Sequence, residues 1–235
     1  MQVVNSESRL CELLVVDPTI ITVLNRFGIN LGVGDKTIQK VCEENEIDPT
    51  FLISILNTFI NEDYFPLEVL GSFSAVEIIN YLNKTNAYYL HFQIPNIERH
   101  FKYLMDKSNE NNSSLIFIQQ FFFEVRNELQ SRIAEDKSMW FPNIINLENE
   151  IGRITITENI EYSIIEDSIE AKINDLLNMF IMHLSGEYDN NLAHAVLIAL
   201  FNLKKDLNQN NRIRERILRP LHTALQSIKK QKYGL

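Results

Sequence analysis

The 235-residue chain has few of the residues that make turns, with only seven glycines and six prolines. Strand-rich folds need many tight turns, so this scarcity favours helices. Cysteine is also scarce. Cys11 and Cys42 are too few for a disulfide framework, and although they could pair, we expect both to be reduced. No run of about 18 apolar residues occurs, so we expect no membrane span.

Basic residues are outnumbered as well: 22 Lys and Arg face 31 Asp and Glu, which gives a net charge of −9. A nucleic-acid-binding protein needs a basic face that releases counterions, so we expect no nucleic-acid partner. Lys229, Lys230 and Lys232 are typical of a solvated chain end. The first ten residues are polar and lack the apolar core of a signal peptide, and we therefore expect a cytoplasmic protein.

Helical patterns fill most of the chain. Before residue 61 they are short, and Asp35 and the pair Asp48-Pro49 are predicted to begin two of them. Residues 61–73 contain Pro and Gly without a period and predict a linker, after which Ser74 caps a helix. Long helical patterns then cover about 74–107, 113–140, 162–185 and 189–230. An irregular stretch is predicted at 142–161, in which the β-branched run Ile-Thr-Ile-Thr is compatible with a short strand.

Together these patterns predict an all-α chain. We expect a small helical domain at 1–61 and an up-down four-helix bundle at 74–235, because four long amphipathic helices with short connections are typical of a bundle.

An internal repeat relates the second and fourth long helices with an offset of 78 residues. Both stripes advance in steps of four and three, as buried helical stripes do, and both become polar at the same two levels. We expect the polar residues to be buried and paired; the alternative is that they face water at the helix ends. The first stripe is Ile118, Phe122, Val125, Leu129, Arg132 and Asp136, followed by Pro142. The second stripe is Val196, Leu200, Leu203, Leu207, Asn210 and Arg214, followed by Pro220.

This frame resembles the hemerythrin-like domain of the iron–sulfur cluster repair family. The family motif H-x-x-x-E-E-x-x-L-F-P occurs twice, and here its copies read RIAEDKSMWFP and NNRIRERILRP. The first helix of the family carries T-H-x-x-Y-L before E-L-P, and here the run is TNAYYLHFQIP. IEAKINDLL stands for the third-helix motif E-H-D-E-x-x-x-L-L. VLNRFGINLGVGDKTIQKVCEENEID is similar to the family's small N-terminal domain, whose signature is F-x-x-x-G-I-D-F-C-C-G-G.

The resemblance implies a degenerate di-iron site. Asn86, Arg132, Glu170 and Asn210 take the positions of histidine ligands, and Ser108 takes that of a further one. Asp136 keeps one bridging carboxylate, whereas Arg214 replaces the other. Gly32 and Val33 replace the Cys-Cys pair of the small domain.

Iron requires imidazole and carboxylate ligands, and two arginines add charges that no accessible pH removes. We therefore expect no metal or other cofactor, the alternative being di-iron. We predict a salt-bridge network in its place, in which Asp136 faces Arg214 and Arg132 neighbours Glu170. A displaced metal site would have to use His91 or His183, which lack partners at ligand spacing.

The resemblance and its departures predict a metal-free, non-catalytic binding or regulatory protein rather than an enzyme. The alternative is an active cluster-repair protein of nitrosative and oxidative stress with an altered metal site. As partners we expect a second copy of this chain or a related repair protein, through the small domain around Leu31 and Val33.

Overall fold

The structure is a computed structural model, and it describes residues 3–66, 68–109, 112–154 and 167–233. These residues contain no β-strand, so the predicted all-α class is confirmed. The helices are α1 (Leu10–Val16), α2 (Ile20–Phe27), α3 (Ile38–Asn45), α4 (Pro49–Ile60), α5 (Ala75–Tyr88), α6 (Ile94–Lys107), α7 (Ser113–Glu135), α8 (Phe141–Ile151), α9 (Ser168–His183), α10 (Asn190–Ile213) and α11 (Arg219–Tyr233).

Two predicted helix starts are confirmed. The Asp48 carboxylate accepts hydrogen bonds from the backbone N–H groups of Thr50 and Phe51 at the start of α4. Before α5, Ser74 Oγ accepts from Glu77 N, and the Glu77 carboxylate accepts from Ser74 N, which is a capping box. The prediction that Asp35 caps α3 was wrong. The helix begins at Ile38, and its N-cap is Thr37, whose hydroxyl accepts a hydrogen bond from the backbone N–H of Lys40.

Three π-helical segments of five residues each connect consecutive α-helices. They are Tyr89–Gln93, between α5 and α6, Asp136–Trp140, between α7 and α8, and Arg214–Leu218, between α10 and α11. A proline follows the first residue of each segment by six positions: Pro95, Pro142 and Pro220. Proline has no N–H, and its ring clashes with the carbonyl four residues earlier, so the wider π turn accommodates it without ending the helix.

The prediction of an irregular stretch from residue 142 was wrong, because α8 continues to Ile151. The π segment before Pro142 lets the helix continue past this proline, although proline donates no backbone hydrogen bond. Most of the Ile-Thr-Ile-Thr run and the first residues of the predicted segment 162–185 lie outside the described residues. The described helix there is α9, which begins after Asp167.

The chain forms two compact units. The first contains residues 1–84, 141–164 and 209–235, and the second contains residues 85–140 and 165–208. The predicted boundary at 61–74 lies within the first unit, and it stays a prediction, as does the hemerythrin-like arrangement of the helices. Within the described residues, no helix is both long and apolar enough to cross a membrane.

In the second unit, α6, α7, α9 and α10 contribute to one hydrophobic core. The apolar parts of both predicted stripes belong to it, from Ile118 to Leu129 on α7 and from Val196 to Leu207 on α10. The rings of Phe101 and Phe122 stack in this core with their centroids 4.9 Å apart. The periodicity therefore identified the buried faces of α7 and α10 correctly.

In the first unit, two arginines hold the chain that leaves α4. Arg212 Nη2 donates to the carbonyl oxygen of Phe59 at 2.6 Å, in the last turn of α4. Arg216 Nη1 donates to the carbonyl oxygen of Tyr64 at 2.9 Å. The last carbonyls of a helix lack intrahelical partners and carry partial negative charge, so a guanidinium there supplies both a donor and a favourable charge.

Phe122→Ala should lower the free energy of unfolding by about 3–5 kcal/mol, because it leaves a cavity in the core of the second unit. Phe117 lies on the same helix but is 63% exposed, so Phe117→Ala should cost less than about 1 kcal/mol. Equilibrium denaturation measures both values. Equal losses for the two variants would contradict the assigned buried face of α7.

Candidate functional site

Arg132, predicted to replace the second-helix histidine, lies in the last turn of α7 and forms an ion pair with Asp167. The two side chains are 19% and 21% exposed. Asp167 is also the N-cap of α9, since its Oδ1 accepts from the backbone N–H groups of Ile169 and Glu170. One carboxylate therefore both caps a helix and neutralises the arginine.

A second polar group lies one turn earlier along α7. Glu128 accepts a hydrogen bond from Ser168 Oγ at 2.6 Å and forms an ion pair with Lys172. The hydrogen bond from Lys172, followed by that from Ser168, lowers the pKa of the Glu128 carboxyl below its ordinary value. The stabilisation that Glu128 contributes is therefore fully present above about pH 4.5, the ordinary pKa of a glutamate, and it is lost as the pH falls below that value. We call Glu128, Arg132, Asp167, Ser168 and Lys172 the α7–α9 seam.

Contacts at both ends of α7 and α9 fix the relative direction of these two helices. Ser114, near the start of α7, donates through Oγ to the carbonyl oxygen of Ser185, which follows the end of α9. Arg132, near the end of α7, contacts Asp167, which precedes the start of α9. The two helices are therefore antiparallel, as an up-down arrangement requires.

Glu170, predicted to replace the third-helix histidine, accepts a hydrogen bond from Asn208 Nδ2 at 2.8 Å. This contact joins α9 to α10 within the second unit. Asp167, which the sequence analysis did not single out, is the residue that pairs with Arg132. The pattern Asp-Ser before an amphipathic run is an N-cap signal that could have drawn attention to it.

Asp136, which the resemblance predicts to keep a bridging carboxylate, is the first residue of the second π segment and is only 4% exposed. Its backbone N–H donates to the carbonyl oxygens of Arg132 and Ile133. Arg214, the first residue of the third π segment, is half-buried and belongs to the first unit. The salt bridge predicted between Asp136 and Arg214 stays a prediction.

Asn86 and Ser108 are not close to each other. They lie 22 positions apart along helical chain, which corresponds to roughly 30 Å at the rise of a helix. Ser108 Oγ donates to the carbonyl oxygen of Leu104 at the end of α6. Asn86 is half-buried, and its Nδ2 has no hydrogen-bond partner among the described residues. The structure thus separates Ser108 from the helix end that carries Asn86.

Asn210, predicted to replace the fourth-helix histidine, belongs to a buried cluster in the first unit. Arg26 Nη1 donates to Asn210 Oδ1 at 3.2 Å and to Tyr81 Oη at 3.3 Å, and Tyr81 Oη donates to Asn210 Oδ1 at 3.3 Å. The exposed fractions are 4% for Arg26, 3% for Tyr81 and 1% for Asn210. Arg26 and Tyr81 were missed at the sequence level, because Arg26 falls at an unspecified position of the small-domain signature and Tyr81 lies outside every quoted motif.

Gly32 and Val33 lie in the connection between α2 and α3. Gly32 is exposed and has a φ of +94°, a left-handed conformation that favours glycine. Val33 is half-buried, and the neighbouring Leu31 is 64% exposed.

Across the part of the chain that the structure describes, no three His, Cys, Asp or Glu side chains are grouped so that they could hold a metal ion. Comparisons with protein-family models, with curated proteins and with solved structures found no match to this chain.

The Arg132–Asp167 pair can be measured with Arg132→Gln, Asp167→Asn and the double variant. Asparagine also caps helices, so Asp167→Asn removes the charge and keeps the cap. Because both side chains are about four-fifths buried, we expect a coupling free energy of about 1 kcal/mol in denaturation experiments. The same cycle on the more exposed pair Lys36–Glu44 should give less than about 0.5 kcal/mol. Equal coupling in both cycles would refute a special role for Arg132.

Proposed function

We propose that this chain is a metal-free, non-catalytic binding or regulatory protein, related to the hemerythrin-like iron–sulfur cluster repair proteins. In this proposal the chain's own polar side chains take the place of the di-iron centre. The observation that carries this proposal is that the side chains at two of the predicted ligand positions are engaged with other polar side chains. Arg132 is ion-paired with Asp167, and Asn210 is hydrogen-bonded to Arg26.

Neither of these residues suits iron. A guanidinium has only N–H donors and keeps its charge at every accessible pH, so it repels a cation instead of coordinating it. An amide oxygen that already accepts two hydrogen bonds is a poor replacement for an imidazole nitrogen. The proposed polar network includes the Arg132–Asp167 pair and the predicted contribution of Asp136 and Arg214.

The alternative is an active repair protein with an altered metal site, and the buried carboxylate of Asp136 favours it. Asp136 occupies a bridging-ligand position of the family frame, and carboxylates bind iron readily. Such a site would need further ligands from histidines outside that frame.

Metal analysis distinguishes the two functions. Protein purified from iron-rich culture should contain far less than one iron per chain and should show no di-iron absorption band, because of the two arginines in the frame. Asp136→Asn and the exposed Asp175→Asn should leave any residual metal unchanged. Stoichiometric iron that Asp136→Asn removes and Asp175→Asn retains would establish the alternative instead.

For the partner, we propose a second copy of this chain, or a related repair protein, bound through the connection that carries Leu31 and Val33. Sedimentation should show a mass that rises towards a dimer with concentration. Leu31→Lys should favour the monomer, because it places a charge on an apolar contact. Phe117→Lys, at a residue of similar exposure in the second unit, is the matched control and should not change association. A strict monomer at high concentration would exclude the self-association.

A further inference from the structure

One residue ahead of α1 is held by a single side chain of α4. The backbone N–H of Val4 donates to Asn57 Oδ1 at 2.7 Å, and Asn57 Nδ2 donates to the carbonyl oxygen of Val4 at 2.9 Å. Both residues belong to the first unit, and their exposed fractions are 2% and 1%. The amide therefore binds both backbone groups of one residue, as the opposite residue does in a hydrogen-bonded pair of an antiparallel sheet.

The side chains around Val4 alternate as in an extended strand. Val3 is 53% exposed and Asn5 is exposed, whereas Val4 between them is buried. Successive side chains of an extended segment point to opposite faces, so the middle one of the three enters the protein. Sites that bind extended peptides combine the same two features, namely hydrogen bonds to the main chain and burial of alternate side chains. We call the place of Val4 beside Asn57 the Asn57 slot.

The turn that follows is held by contacts of its own. Ser8 N donates to the carbonyl oxygen of Asn5 at 3.1 Å, which closes the turn. The backbone N–H groups of Ile38 and Gln39, at the start of α3, donate to the carbonyl oxygens of Ser8 and Ser6 at 3.0 Å each. Segments with few contacts open most easily, so residues 3 and 4 can leave the slot while the turn stays in place.

Asn57 favours an occupied slot. Its amide is buried, and a buried donor and acceptor that lose their partners cost free energy. After release of Val4, another extended segment can supply the same backbone N–H and carbonyl oxygen. Its buried side chain has to be small and apolar like that of valine, because a charged side chain would be desolvated there.

We infer that the Asn57 slot is a peptide-binding site whose resting occupant is the chain's own Val4. Its ligands are extended segments that place a small apolar side chain in the slot and pair one backbone N–H and one carbonyl oxygen with Asn57. The inference gives the proposed binding or regulatory function a ligand class and rests on that function. The chain's own segment is a tethered competitor, so a free peptide binds well only when that segment is weakened.

NMR on the full chain tests the inference, with the acetylated and amidated peptide Val-Val-Asn-Ser-Glu-Ser, residues 3–8, as the probe. Val4→Asp should release the chain's own segment, because it would bury a carboxylate. The peptide at millimolar concentration should then shift the side-chain amide signals of Asn57. Val3→Asp introduces the same charge at the exposed neighbour and should keep the segment bound. The peptide should therefore bind Val3→Asp at least about tenfold more weakly than Val4→Asp.

Changes in the peptide test the recognition without altering the protein. Methylation of the backbone nitrogen at the second valine removes the donor to Asn57 Oδ1. It should weaken binding about twofold to tenfold, as expected for one hydrogen bond. Aspartate in place of the second valine should abolish binding, whereas aspartate in place of the first valine should have little effect.

The wild-type chain supplies a measurement that does not depend on the folding of Val4→Asp. Excess peptide should displace the chain's own segment and so raise the hydrogen-exchange rate of the Val4 N–H. Three results would overturn the inference: no shift of the Asn57 amide in a folded Val4→Asp, equal binding of the methylated peptide, or an unchanged exchange rate in the wild type.

The iron content of the same samples reports separately on the proposed function. A metal-free protein that binds no peptide would refute the slot alone. An iron-loaded protein that binds the peptide would refute the metal-free function alone.

Discussion

Three prolines inside helical chain are the constraint on which the backbone depends. Proline has no N–H to donate to the helical hydrogen bonds, and its ring displaces the carbonyl four residues earlier. In the interior of a regular α-helix these two effects together cost about 3 kcal/mol of stability. Each of these carbonyls belongs to the middle residue of a π segment. At the ends of two segments the hydrogen bonds span five residues, from Ile94 N–H to Tyr89 and from Arg219 N–H to Arg214. The wider turn lets the helices continue past the prolines.

The same constraint explains how far the sequence could predict the fold. Along α7 the buried residues advance by three or four positions, so the 3.6-residue period identified the core stripe. At the π segment the step becomes five, from Asp136 to Phe141, both of which are buried. An α-helical period loses its phase at such a step. The pattern after Pro142 therefore looked irregular, although Phe141, Ile144 and Leu147 are buried at helical spacing.

The sequence allowed us to predict that the site residues are buried, but not which residues they contact. The repeat indicated that both stripes become polar at two levels, and Asp136 and Asn210 are indeed buried, so at these two residues the alternative of a water-facing stripe is wrong. Their surroundings could not be deduced in the same way. Arg26 lies 184 residues from Asn210, and Asp167 lies 35 residues from Arg132. Periodicity reports which face of a helix is buried, whereas such contacts depend on how distant segments pack.

The choice of asparagine at position 210 has an electrostatic consequence. Asn210 Oδ1 accepts from Arg26 and Tyr81, so it orients the guanidinium while contributing no charge of its own. An aspartate there could accept from the same donors but would bring a negative charge into this buried cluster. A histidine there would gain or lose a proton near neutral pH. Asparagine therefore adds neither a charge nor a titratable group to this buried cluster.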